Sequence, residues 1–217
     1  TARASRAQGG LHSMGCSVST VTVDRVCVGS EVRERLLAFE QEAPDDFIRG
    51  VAIFYLFHYF YSALQLGNVE EVAELVPRIV AYSDNHPQAY MALLARLVTG
   101  IMALHQGQHD SAERALQAVA TIQEQFPYTL VFGDAGLLLA LLYLRQHRMA
   151  LALEYLTPRL AHYETHGVLG FCMWQGRLIV PVLQWAVQQG VHAAFARQVL
   201  QQLDEPIPLT PVESGAS

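Results

Sequence analysis

The chain has 217 residues, 52% of them hydrophobic and 16% charged, enough to bury a substantial core in one elongated domain. With 14 basic against 20 acidic side chains and a formal net charge of −6, it carries no electrostatic footprint for nucleic acid, and direct DNA contact is not expected. All of its basic residues are arginine, and Cys16, Cys27 and Cys172 are an odd set without CxxC spacing. This argues against a zinc cage or a disulfide framework and fits a reducing cytoplasm.

Thr1 to Gly15 is small and polar and reads as a flexible lead. Ser17 to Val28 spaces its valines in a β-like manner with no second strand to pair with, so residues 1–30 are expected to form an N-terminal arm. A short helix is predicted from Ser30 and Glu31 to about Glu42, ended by Pro44, with Asp45 and Asp46 placed to cap the next. That next helix, Phe47 to Gln65, is unusually aromatic. Its partner is predicted over Val69 to Ser83 with a kink at Pro77. Gln88 to Pro127 reads as two more helices around a turn at Gly107. A third pair is predicted from Tyr128 to Arg145 and from Arg148 to His166, the latter kinked at Pro158. A fourth follows from Phe171 to Gln189, with Pro181 inside, and from His192 to Leu203. The tail from residue 205 to 217 is rich in proline and small residues and reads as a linker. The apolar runs Val51 to Leu66 and Leu130 to Leu144 fall short of the roughly 20 residues of a membrane span and are better read as buried helices.

These pairs keep register with one another. Gly67 and Gly107 stand 40 residues apart, Gly190 stands 83 beyond, and the intervening mark falls at His147. Three residues before each mark come Leu64, Leu104, Leu144 and Val187; nine after come Val76, Leu116, Leu156 and Val199. Five after come Val72, Ala112 and Ala152, slender residues that let two helices approach. The expected fold is therefore all-α: tandem antiparallel helix pairs in a tetratricopeptide-like superhelix over residues 31–204, each pair covering the apolar face its neighbour leaves open.

No GxxxxGK[ST], no GxGxxG after a strand and no GxSxG is present, so neither catalysis nor a cofactor is expected. His162 and His166 share a helical face around Glu164, but Tyr163 stands where zinc proteases place the glutamate. They read as the solvated last turn of a helix, and no metal is expected. A concave binding face is the better candidate. Two residues before each mark lies a polar row of Gln65, His105, Arg145 and Gln188, and thirteen before lie Asp134 and Arg177, which could face one another across pairs as ligand contacts or as an ion pair. Tyr61, Trp174 and Trp185 could stack on a ligand, although aromatics at helical spacing are ordinarily core. The site expected from sequence comprises Tyr61, His105, Asp134, Arg145, Trp174, Arg177 and Gln188.

The stretch GDAGLLLALLYLRQHRMALALEYLTPRLAHYETHG and the pair after it resemble the helical-repeat sensor region of MalT-like, LuxR-type bacterial transcriptional regulators. Leu209, Thr210, Pro211 and Glu213 match the LTPxE lead-in to the DNA-binding domain of that family. The resemblance implies an ATPase module before this region and a helix-turn-helix after it. It also implies a sensor that binds a small-molecule inducer or a regulatory protein without touching DNA or membrane, homo-oligomers being allowed. The alternative is a general interaction scaffold unrelated to transcription.

Overall fold

The computed structural model describes residues 31–86, 89–168 and 175–208. The arm before residue 31, Trp174 and the LTPxE segment lie outside the described residues.

The described residues are all-helical, with no strand among them. α1 covers 31–41. It packs Leu36 and Leu37 on the core and is tied to the first pair by the Arg33–Glu74 pair and by Arg78 Nη1 to Glu40 Oε2 at 2.8 Å. α2 runs Asp46–Gln65 and begins where Asp45 accepts the Ile48 N–H at 2.8 Å, the capping inferred from sequence. At 20 residues it is the one described helix long and apolar enough to cross a membrane by length and composition, longer than its apolar run suggested. Here it is the core helix of the first pair, with Ile53, Leu56, Phe57 and Phe60 fully enclosed.

The partner of α2 is two helices rather than one kinked helix: α3 (Val69–Ala73) and α4 (Val76–Asn85). Pro77 is the reason. It lacks an N–H and its ring would meet the carbonyl of Ala73, so one helix stops at Ala73 and the next begins with proline in its first turn, where no donor is needed. α5 (Ala89–His105) and α6 (His109–Gln125) form the second pair. In the third, a 3-10 turn at Pro127–Phe132 and Gly133, whose φ of 123° suits glycine, precede α7 (Ala135–Arg145), so the long helix expected from Tyr128 is divided. α8 (Met149–His166) passes through Pro158 without a break. Pro158 and Glu154, whose carbonyl loses its intrahelical partner, are both exposed, so water can take that carbonyl. The fourth pair shows a 3-10 turn at Gly176–Ile179, then α9 (Val180–Gln189) and α10 (Ala193–Gln202), with Pro181 again in a first turn instead of inside a helix.

The turns within pairs repeat one geometry. Gly67, Gly107, His147 and Gly190 all have positive φ, at 85°, 70°, 59° and 72°. In each case the residue at the mark donates back to the third residue before it, and the next residue donates to the carbonyl five before itself, as Asn68 to Ala63 (3.0 Å), Gln108 to Ala103 (2.8 Å), Arg148 to Tyr143 (2.9 Å) and Val191 to Ala186 (2.9 Å). This left-handed closure satisfies the last carbonyls of a helix and suits glycine; His147 adopts it at the cost of a Cβ. After the first three marks the next helix starts two residues on. After Gly190 it starts three on, because His192 is left-handed as well, so Ala196 takes the buried place held earlier by Val72, Ala112 and Ala152.

α7 is the centre of the molecule. Residues Ala135 to Tyr143 are all buried, with α5, α6, α8, α9 and the Gly176–Ile179 turn around them. A helix apolar on every side is explained by that enclosure. Where the second and third pairs meet, Tyr143 donates to Glu113 Oε1 at 2.8 Å, and Arg148 lies over the Tyr143 ring at 4.8 Å.

Candidate functional site

The C-terminal ends of α2, α5 and α7 converge with the Gly176–Ile179 turn around a cavity of about 210 Å³. Its polar walls are Tyr61, Gln65, His105, Arg145, Gln175 and Arg177; Leu64, Leu178 and Pro181 supply the apolar part. Three members of the polar row therefore meet in one place, each from the last turn of a first helix. The count from the turn holds there because so few residues intervene. The fourth, Gln188, is exposed at the end of α9 and does not line the cavity.

Arg145 reaches from the third pair to the second, donating from Nη1 to the Leu104 carbonyl at 3.1 Å. That carbonyl belongs to the final turn of α5, where a cation is favoured. Among the described residues Arg145 has no carboxylate partner. Burial lowers its pKa without removing its charge at neutral pH. His105 is pushed down by burial and then by the Arg145 charge beside it, so it is neutral at neutral pH. The Tyr61 hydroxyl is driven up, first by burial and then by the charge of Asp134, and stays protonated. Arg177, at the mouth, pairs through Nε with Glu205 Oε1 at 3.0 Å, just beyond α10.

Asp134 is not a cavity residue, and it does not face Arg177. Counting thirteen back from His147 assumes an unbroken helix, but α7 begins at Ala135 and Asp134 is its cap. Oδ1 accepts from Gly136 N at 2.7 Å and Leu137 N at 3.3 Å and lies 3.4 Å from Arg159 Nε, while Oδ2 accepts the Tyr163 hydroxyl. With no exposed surface and both oxygens engaged, the carboxylate is spoken for within the fold. Arg177 falls in the 3-10 turn ahead of α9, where the α-helical count fails in the same way.

The crossover around Asp134 is locked by two amides that sequence reasoning did not single out. Gln123 donates to the Gly133 carbonyl at 2.6 Å and accepts the Ala135 N–H at 3.0 Å, holding the loop that starts α7. Gln175 donates from Nε2 to the Asp134 carbonyl at 2.9 Å. With Nε2 committed, its Oε1 is left on a fully buried side chain at the cavity wall, where it accepts no hydrogen bond from the described residues. An unmet buried acceptor costs about 1–3 kcal/mol. Nothing in the periodicity marks either glutamine, because both serve loops. The chain also approaches itself closely here: a Cβ on Gly133 would collide with the Tyr61 hydroxyl, and one on Gly176, whose φ is 53°, would stand 2.6 Å from Gln65 Cδ.

Elsewhere, His162 and His166 are exposed with rings 4.6 Å apart, and Glu164 is taken by His192 Nδ1 at 2.6 Å. Among the described residues no group of three His, Cys, Asp or Glu is placed to hold a metal. A second, more open groove of about 500 Å³ is walled by Phe47, Phe54, Tyr55, Tyr82 and Tyr90. Trp185 is half-buried against the core.

The arrangement defines an all-helical array with a small polar cavity where the ends of its pairs meet. No family model, no curated protein and no solved structure matches the chain.

Proposed function

We propose that the chain is the effector-sensing, non-enzymatic helical-repeat region of a MalT-like, LuxR-type transcriptional regulator, its pairs stacked as a tetratricopeptide-like superhelix in the cytoplasm. The observation that carries this reading is the cavity of about 210 Å³ built from Gln65, His105 and Arg145, the same position in three successive pairs. A ligand seated there touches three pairs at once. It therefore favours one relative arrangement of them, which is what a switch requires. DNA contact belongs to another part of the regulator, since this region is acidic. The test is the reading frame around this region: an ATPase module before it and a helix-turn-helix after it are expected, and a frame with neither overturns the assignment.

A protein-interaction scaffold is the second reading. It is favoured by the exposed Phe47 (78%) and Tyr55 (53%) at the edge of the aromatic groove, a surface suited to a partner's apolar side chains.

A further inference from the structure

We propose that the cavity between the ends of α2, α5 and α7 takes a small organic anion, a carboxylate or phosphate, that also carries a hydrogen-bond donor such as a hydroxyl or amine. This rests on the effector-site reading and specifies its ligand.

The anionic half follows from Arg145. Its guanidinium lines the cavity, has no carboxylate partner among the described residues, and spends one N–H on the Leu104 carbonyl, leaving a planar set of donors suited to an oxyanion. Nothing acidic among the cavity walls opposes it. Asp134 lies outside the lining, buried against Arg159 and Tyr163, and Glu205 is held by Arg177. That last pair shows the rim already receiving a carboxylate from the chain itself.

The donor half follows from Gln175. The bond from Nε2 to the Asp134 carbonyl orients the amide, so the atom of this wall residue left without a partner is the oxygen, an acceptor. A bare anion leaves it unmet; a hydroxyl or ammonium beside the anionic group satisfies it. Size narrows the class, because about 210 Å³ lies below the ~300–1,000 Å³ usual for drug-sized ligands. A hydroxy acid, an amino acid or a short polyol phosphate is seated whole; a longer ligand would extend past the exposed Gln65, His105, Arg145 and Arg177 into solvent.

The experiment is thermal shift followed by calorimetry on the whole chain. Four probe sets are used: hydroxy and amino carboxylates, polyol phosphates, the matched anions without a donor (acetate, propionate, inorganic phosphate), and neutral sugars. Binding to the folded state raises the midpoint by mass action. The expected result is a shift from a donor-bearing anion, with the carboxylate and phosphate arms deciding which anion is used. Arg145→Gln should weaken that binding by roughly tenfold or more, and Gln175→Leu should erase the preference over the donorless anion while leaving the anion bound. Arg177→Gln, at an exposed position, tests the charge with little risk to folding and should weaken binding less. A shift from neutral sugars alone overturns the anion assignment and leaves the effector site standing. Binding unchanged in both arginine variants overturns the site. No shift from any set overturns both.

Discussion

The two kinds of connection in this molecule behave oppositely. The turns inside pairs, at Gly67, Gly107, His147 and Gly190, share one left-handed geometry and the same two backbone hydrogen bonds. The described crossover from the second pair to the third keeps only a positive-φ glycine, Gly133, whose N–H donates to the Leu130 carbonyl three residues before it. It passes through a 3-10 turn and Gly133, at φ 123°, to a capping aspartate, and side chains from α6, α8 and Gln175, just before the Gly176–Ile179 turn, secure it. Regular turns set the spacing of the array and bring Gln65, His105 and Arg145 to the cavity, while the irregular crossover lends it no lining residue and is held by buried hydrogen bonds of its own.

Asp134→Ala is the most severe way to break that contrast. It removes the cap of α7 and leaves Arg159 and the Tyr163 hydroxyl without their buried partner, so a loss of about 3–5 kcal/mol is expected from urea unfolding. A loss below that of a turn variant would mean the crossover is not the costlier connection. The turns themselves are tested by exchanging their residues. No atom lies within 4 Å of a Cβ built on Gly107, so Gly107→Ala isolates the backbone term and should cost about 1–2 kcal/mol. His147→Gly relieves the same conformation and should gain roughly 0.5–1 kcal/mol once the flexibility of glycine in the unfolded chain is deducted. Equal signs for the two would deny that the turns are equivalent.

The smallest effect concerns pH. Burial holds His58 and His105 below their ordinary value of 6.5, so the unfolded chain takes up protons first as the pH falls. Their contribution is present in full above that value and is lost as the pH drops through it towards the folded values. Urea midpoints measured between pH 8 and 5 should fall modestly over the lower half of that range. The double variant His58→Gln, His105→Gln should flatten the slope, and an unaltered slope would assign it to other groups.

Much of this could be read before any coordinates. The glycine marks placed four turns correctly, including the one occupied by histidine, and the polar row two residues before them gave three cavity walls. Prolines were harder. Pro77 and Pro181 sit in the first turns of helices where kinks were expected, because a sequence shows that proline disrupts a helix but not whether the chain bends or restarts. Asp134 and Arg177 were misplaced for a related reason: counting along a helix carries no information across the point where that helix begins.

What the sequence determined by itself is the array of helix pairs and the turns that close them. Each turn needs only one left-handed residue and carbonyls within five residues of it, so its cause is local. Tertiary structure alone decided that Gln175 joins Tyr61, His105 and Arg145 at one cavity and that Asp134 is sealed away from it. Those placements depend on contacts between residues up to 41 apart in the chain, through a glutamine amide, a tyrosine hydroxyl and an arginine whose partners no periodicity marks.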